Sequence, residues 1–320
     1  MSVIFEFEVG KGFHFTTSFA EQFDLPVAND RVNLPGYLGD GFIQEVYLDN
    51  GLALCIHNYN LKQDFILKRR SSPSATMLTI KFDCRRGPEK PLFPDSKGCE
   101  VEFGTGNFFT ELKLPASPDI NFMVIGVSRQ VLLDMVQPDE DSYITANIRA
   151  NESFVIHEGM TADMERTLKQ LSMINEDTKL APLLYKTKAQ ELIYLLFTKL
   201  LSRSGGASLT INQSDAEKIY QVRSAILSDL SRTPVLSQLA NEIGISLTKM
   251  KDLFRQIFGD SIYNYYQSAR MTQAAELLNR LSVSEVGYRV GFTNLSHFTR
   301  LFEKHHQIKP KRYKDTLEIA

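Results

Sequence analysis

The sequence predicts an α+β chain in two parts, a β-rich first half and an all-α C-terminal domain, joined through a helical segment. Three observations predict it. Near residue 158 the hydrophobic pattern changes from short strand-like runs to a helical repeat. Ser204-Gly205-Gly206-Ala207-Ser208 has the composition of a flexible connection. In the last third a helix-turn-helix pattern returns after 48 residues, from Ser246 to Asn294. The boundaries that follow are a β-rich domain over 1–157, a helical hairpin over 158–204, a linker over 205–214 and a helical domain over 215–320.

Strands come first in order. Phe42–Leu48, Leu52–His57, Asp64–Lys68, Met77–Phe82 and Asn121–Ile125 are short apolar or alternating runs. Asp49-Asn50-Gly51 and the Gly87-Pro88 and Lys90-Pro91 pairs separate some of them as turns. Many short strands argue for a barrel or a sandwich. Of the 21 phenylalanines, 13 lie in the first 120 residues, enough for either a plain aromatic core or the wall of a ligand cavity. Met160, Met164, Leu168 and Leu171 then form a helical stripe, and a second helix runs from about Ala181 to Ser202. Its end, Leu192 to Phe197 with Leu200-Leu201, is apolar nearly all round, so it must be covered on more than one side. Leu196 is therefore expected either at a subunit interface or within one chain's core.

Whole-chain numbers narrow the class. The net charge is −2, but from residue 212 onward 15 basic residues face 11 acidic ones, leaving +4 there and −6 in the remainder. That balance suits a nucleic-acid-binding domain appended to something else. Cys55, Cys84 and Cys99 lack metal-ligand spacing and read as reduced thiols of a cytoplasmic protein. The start, Met-Ser-Val-Ile-Phe-Glu, has no basic region of a signal peptide, and no apolar run approaches 18 residues, so no membrane partner is expected. Only His14, His57 and His157 lie outside the helical domain, without H-x-H spacing. No nucleophile motif, phosphate loop or carboxylate pair is present, so neither an enzyme, a metal site nor a cofactor is expected.

In the helical domain, Ser214-Asp215-Ala216-Glu217 reads as a capping box opening the first helix. The first helix-turn-helix unit starts with Thr233 as cap and Pro234 at the first helical position, and turns at Gly244. Ser246 caps the next helix, whose Met250, Leu253, Phe254, Ile257 and Phe258 make a core stripe. Its opposite side carries Thr248, Lys251, Asp252 and Arg255, with Lys249 adjacent. In the second unit Ser282 and Glu285 form a capping box and Gly291 makes the turn. Phe298, Leu301 and Phe302 face inward there, while Ser296, Arg300 and Lys304 point outward, flanked by His297. A helix with such an outer face suits a major groove. The glycine- and proline-free stretch 262–281 between the units would span roughly 30 Å as a helix, against about 34 Å for one turn of B-DNA.

These residues resemble the C-terminal domain of the AraC/XylS family of transcription regulators. The resemblance rests on Leu239-Ala240, Ile245-Ser246, Leu253-Phe254, Gly259, Tyr265, Arg270, Ala274 and Leu277-Leu278. It continues through Val290-Gly291-Phe292, Phe298 to Phe302, Pro310 and Tyr313. There are three departures: Gly287 stands where the family usually has alanine, Asp252 where arginine is frequent, and Gln307 where Gly259 supplies glycine in the first unit. The resemblance implies a regulator of promoter DNA, with an N-terminal cupin-like β-barrel that binds a small-molecule effector and a helical segment that forms a homodimer. RNA polymerase would be a partner if the chain activates. Leu34 to Gly41 and Gly51 to Leu61 resemble the siderophore-responsive, pyochelin-type members, which implies an iron-chelate (siderophore) or aromatic effector. Base contacts are expected from Thr248, Lys251, Ser296, His297 and Arg300. Phosphate contacts are expected from Lys249, Lys251, Arg255, Lys304, Lys309 and Lys311. Leu295 either touches a thymine methyl or is packed. The alternative is a constitutive DNA-binding regulator whose barrel only dimerises it.

Overall fold

A computed structural model describes the chain apart from residues 1–2, 9–13, 71–76, 85–98, 106–109, 115, 117–119, 138–142, 151–152, 175–177, 203–210 and 318–320. The turns at Gly87-Pro88 and Lys90-Pro91 and linker residues 205–210 lie outside the described residues. The chain divides into two compact units, one running through Gln213 and one from Ser214 onward.

The first unit contains β1 (Val3–Glu8), α1 (Phe15–Phe23), β2 (Arg31–Asn33), β3 (Gly39–Asp49), β4 (Leu52–Leu61) and β5 (Phe65–Arg70). It goes on through β6 (Met77–Asp83), β7 (Glu100–Thr105), β8 (Thr110–Leu114), β9 (Ile120–Ser128), α2 (Arg129–Val136) and α3 (Tyr143–Arg149). β10 (Val155–Gly159), α4 (Ala162–Ser172) and α5 (Ala181–Leu201) complete it. Seven strands form one antiparallel sheet in the order β10-β7-β6-β9-β4-β3-β2, and β1-β5-β8 form a second, smaller sheet.

Alternation along the strands gives the large sheet two apolar faces. Leu54, Ile56, Leu78, Ile80, Phe103 and Ile125 pack with Met164 of α4 and Leu192 and Leu196 of α5. Tyr59 and Phe122 point the other way, into a cluster with Phe5 and Phe65 of the small sheet and Phe15 and Phe19 of α1. The expected closed barrel is therefore corrected. Among the described residues the large sheet is open, with β10 and the three-residue β2 as its edges. Its inner face is covered by a second sheet and a helix, and the aromatic layer between them holds the sheets apart.

Several local expectations change. Helix α1 escaped the sequence reading because its start is capped from a distance: Phe15 and Thr16 donate to the Glu45 carboxylate of β3. The helical repeat expected from 158 begins at Ala162, behind strand β10, and Thr161 caps it through Met164 N–H. The helical pair shares one core with the large sheet. Leu196 is 0% exposed, so of the two alternatives for this residue the core holds and the interface does not; Leu183 (61%), Leu184 (44%), Tyr194 (68%) and Leu201 (44%) are the exposed large apolar side chains of α5.

The reduced-thiol expectation is also corrected. Cys84 and Cys99 form a disulfide with Cα atoms 4.0 Å apart. Asp83 and Glu100 are cross-strand partners, so their outer neighbours meet at the mouth of the β6–β7 pair. Cys55 is a free, buried thiol whose pKa burial pushes up, with Glu45 adding to the effect.

The second unit is all helical: α6 (Gln213–Ser228), α7 (Leu236–Glu242), α8 (Leu247–Phe258), α9 (Ile262–Leu277), α10 (Val283–Arg289), α11 (Leu295–His306) and α12 (Pro310–Leu317). Helix α6 begins at Gln213, so Ser214 lies inside its first turn rather than at the cap. Helix α7 begins at Leu236 with Val235 at the cap, leaving Thr233 and Pro234 outside it. Helix α9 ends at Leu277 and spans about 24 Å, shorter than the stretch read from sequence.

Candidate nucleic-acid interface

Helices α7 and α8, and again α10 and α11, are the two helix-turn-helix pairs. Each turn passes through a left-handed glycine, Gly244 at φ +66° and Gly291 at φ +81°. Gly291 has a second constraint, since a Cβ there would lie 1.9 Å from the Ser231 carbonyl oxygen. Short polar caps then start both outer helices. Ser246 Oγ accepts from Lys249 N–H at 3.2 Å, and Asn294 Oδ1 accepts from Ser296 and His297 N–H at 2.9 and 3.1 Å. The expected capping box is present, with Ser282 and Glu285 bonded reciprocally, and these bonds hold the Glu285 carboxyl below its usual pKa.

The core stripes fall where the spacing put them. Met250, Leu253, Phe254, Ile257 and Phe258 are buried, as are Phe298 and Phe302, while Leu301 is half-buried. Thr248, Lys249, Lys251 and Arg255 are exposed on α8, as are Ser296, His297, Arg300 and Lys304 on α11 and Lys309 and Lys311 beyond it. Asp252 is exposed among the α8 group. Lys249 is not simply free for DNA: its Nζ lies 2.9 Å from Asp215 Oδ2 of α6. Leu295 is half-buried, and its Cδ2 fills the space beside Gly287, where a Cβ would come within 2.5 Å. Gln307, although not a glycine, ends α11 as Gly259 ends α8. Both take a left-handed conformation, and both donate to the carbonyl four residues back at 2.8 Å.

One residue has a role the sequence did not reveal. Arg270 of α9 is 5% exposed. Its Nε donates to the Val290 carbonyl at 2.8 Å, its guanidinium lies 3.8 Å from the Phe292 ring centroid, and Nη1 reaches Gln267 Oε1 at 3.3 Å. Burial lowers its pKa. The side chain ties the turn of the second pair to α9. His306 adds a contact between its Nε2 and the Met271 carbonyl oxygen at 3.1 Å.

Residues 239–316 match a family model described as a helix-turn-helix domain. The second unit carries an AraC/XylS-type DNA-binding domain. Among curated relatives, the transcriptional activator AggR of Escherichia coli is 34% identical over 96 residues, covering 29% of this chain and 36% of AggR. Regulatory protein PchR of Pseudomonas aeruginosa is 33% identical over 68 residues, 21% of this chain and 23% of PchR. The arabinose operon regulatory protein of Escherichia coli K12 is 30% identical over 81 residues, 25% of this chain and 28% of that protein. The chain spans less than half the length of these relatives. Among solved structures, the C-terminal domain of AraT from Geobacillus stearothermophilus aligns at a TM-score of 0.30 and 26% identity, over 31% of this chain and 84% of that one.

The first unit holds a different polar group, on the face of the large sheet that looks toward the small one. Lys81 and His157 are both cross-strand partners of Glu102, and Lys81 Nζ lies 3.3 Å from Glu102 Oε2. Arg69 of β5 donates to Thr79 Oγ1 at 3.4 Å, and Asp83 is buried on the same face. Burial alone would raise the Glu102 pKa; Lys81, His157 and Arg69 outweigh it and hold it at about 2. His57 stacks on Phe122, the cross-strand partner of Asp83, with centroids 4.0 Å apart. Among the described residues no three His, Cys, Asp or Glu side chains converge as metal ligands, and no helix is long and apolar enough to cross a membrane.

Proposed function

We propose that the chain is a sequence-specific transcription regulator that binds promoter DNA through α8 and α11 and takes a small-molecule effector in its first unit. The observation that carries the DNA reading is the pair of capped helices whose inner stripes are buried while Thr248, Lys251, Ser296, His297 and Arg300 are exposed. Recognition helices meet base edges with their N-terminal residues, which is where Thr248, Ser296 and His297 stand. Lys251, Arg255, Lys304, Lys309 and Lys311 supply phosphate contacts. Half-buried Leu295 acts mainly as packing against Gly287.

The effector part is supported by the Arg69–Thr79–Lys81–Glu102–His157 group. Charges inside a small domain are costly unless paired, and they are the kind of group that orients a polar ligand between apolar walls. The exposed stripe of Leu183, Leu184 and Tyr194 on α5 supports self-association with a second copy of the chain. An effector would act by binding one arrangement of the dimer better than another.

Sequencing genomic fragments captured by the purified full chain tests the DNA reading. An enriched motif, then bound with a specificity ratio of about a thousandfold or more over random duplex, supports it. Recovery without any enriched motif overturns it. A constitutive regulator would bind that motif equally with and without candidate effectors.

A further inference from the structure

The two helix-turn-helix pairs share a backbone plan and are both nearly balanced in charge, but only the second is followed by a basic flank. Residues 235–260 carry three basic side chains, Lys249, Lys251 and Arg255, against three acidic ones, Glu242, Asp252 and Asp260. Residues 282–307 carry three basic side chains, Arg289, Arg300 and Lys304, against two acidic ones, Glu285 and Glu303, and the flank that follows adds Lys309, Lys311, Arg312 and Lys314 against Asp315. The first pair is neutral before any pairing is counted. The Lys249–Asp215 contact then neutralises one of its three cations, in the first turn of α8, where a phosphate would otherwise be met. Asp215 is 8% exposed on its side chain and fixed in the first turn of α6, while Lys249 is 46% exposed on a flexible stem. A mobile cation is held by an immobile, buried carboxylate.

We infer that Asp215 is a built-in competitor for the DNA backbone: by neutralising Lys249 it removes one phosphate contact from the first pair and lowers affinity for random DNA. This rests on the DNA-binding reading above. The physical reason is counterion release. A lysine that neutralises a phosphate releases condensed cations, whereas a lysine already neutralised by a carboxylate has little net charge to exchange. Sequence-independent binding then depends chiefly on the second pair and its flank, with Arg300, Lys304, Lys309 and Lys311. Specific binding still gains from α8 wherever Thr248 and Lys251 find their bases, because base contacts do not depend on the charge of Lys249. Lower affinity for random sequence at equal base contact raises the specificity ratio, so Asp215 acts as a specificity-determining residue that need not touch DNA.

The test uses the full chain, a random-sequence 30-base-pair duplex and fluorescence anisotropy at several salt concentrations. The proteins are wild type, Asp215→Asn, Lys249→Gln and the double variant, with circular dichroism confirming the fold of each. Asp215→Asn is expected to steepen the slope of log K against log salt by about 0.9, the value of one phosphate contact. It should also raise affinity several-fold at low salt. Lys249→Gln should leave the wild-type slope unchanged, and the double variant should match Lys249→Gln. A flatter slope in Lys249→Gln alone overturns the inference, because Lys249 would then already grip a phosphate; that arm decides even if Asp215→Asn is misfolded. An equal gain from Asp215→Asn with Gln at 249 also overturns it, since the aspartate would then act by general repulsion. A folded wild type that binds no duplex removes the DNA-binding reading and this inference with it.

Discussion

Arg270→Ala should loosen the second helix-turn-helix pair without touching any residue of its outer face. The side chain gives the Val290 carbonyl a charged donor at 2.8 Å and covers the Phe292 ring at 3.8 Å. A hydrogen bond from a charged group is worth about 1.5–3 kcal/mol. Stacking a guanidinium on a buried ring adds about 0.5–2 kcal/mol. Burial lowers the arginine's pKa, so its charge bears a desolvation cost that the alanine variant recovers. The net expectation is a loss of about 3 kcal/mol, which corresponds to roughly hundredfold faster amide exchange in segments opening with that pair. Hydrogen–deuterium exchange with mass spectrometry on the full chain reads this segment by segment. Peptides from 283–306 should exchange faster, while those of the large sheet in the first unit keep their wild-type rates. Arg270→Lys should lose most of the same protection, because a lysine cannot stack on Phe292 and donate to Val290 as a planar fork does. Unchanged exchange over 283–306 in Arg270→Ala would refute the reasoning, and full protection in Arg270→Lys would show that charge alone matters.

Four further outcomes are expected. Arg300→Ala should weaken binding to the enriched motif by about 1–3 kcal/mol and relax one base position; equal weakening on random duplex in the same titration would mean a phosphate contact instead. Gln307→Gly should stabilise the second unit by about 0.5–1 kcal/mol in urea unfolding, because a non-glycine residue at φ +60° carries strain that glycine lacks. Because Lys81, His157 and Arg69 hold the Glu102 carboxyl at about 2 in the fold, below its ordinary value of 4.5, its contribution is present above about pH 4.5 and is lost as pH falls toward 2. Acid unfolding of Glu102→Gln, followed by circular dichroism, should therefore show a flatter loss of stability across that window than wild type. Tyr194→Asp should give a folded chain that self-associates less in analytical ultracentrifugation, while Leu196→Asp, with its charge in the core, should unfold the first unit; a Tyr194→Asp chain of unchanged association would remove α5 from the interface.

Legibility followed the range of the interaction. Ser246, Ser282 with Glu285, Gly244 and Gly291 act within four residues of where they stand, so cap and turn chemistry located both pairs directly. Glu45 capping α1 from 30 residues away, and Arg270 reaching Val290 across 20, leave no local pattern to read. The division of strands into two sheets was equally invisible, because β1 pairs in parallel with β5 across most of the intervening chain. Leu196 stayed undecided for another reason: where Ile193, Leu195, Leu196 and Leu200 crowd every side of a helix, periodicity carries no direction, and only the packed sheet says which side is inner.

The same distinction explains why the two pairs looked equivalent. Their spacing repeats because the backbone plan repeats, down to a left-handed residue ending each outer helix, Gly259 in one and Gln307 in the other. Nothing in that plan fixes the charges on the outer faces. Asp252 on α8 and Asp215 on α6, 34 residues from Lys249 in sequence, make the first pair electrically quiet, while the second, itself nearly balanced, is followed directly by the basic flank of Lys309, Lys311, Arg312 and Lys314. Phosphate binding reads net charge and base recognition reads side-chain shape, so two copies of one motif can divide affinity and specificity between them.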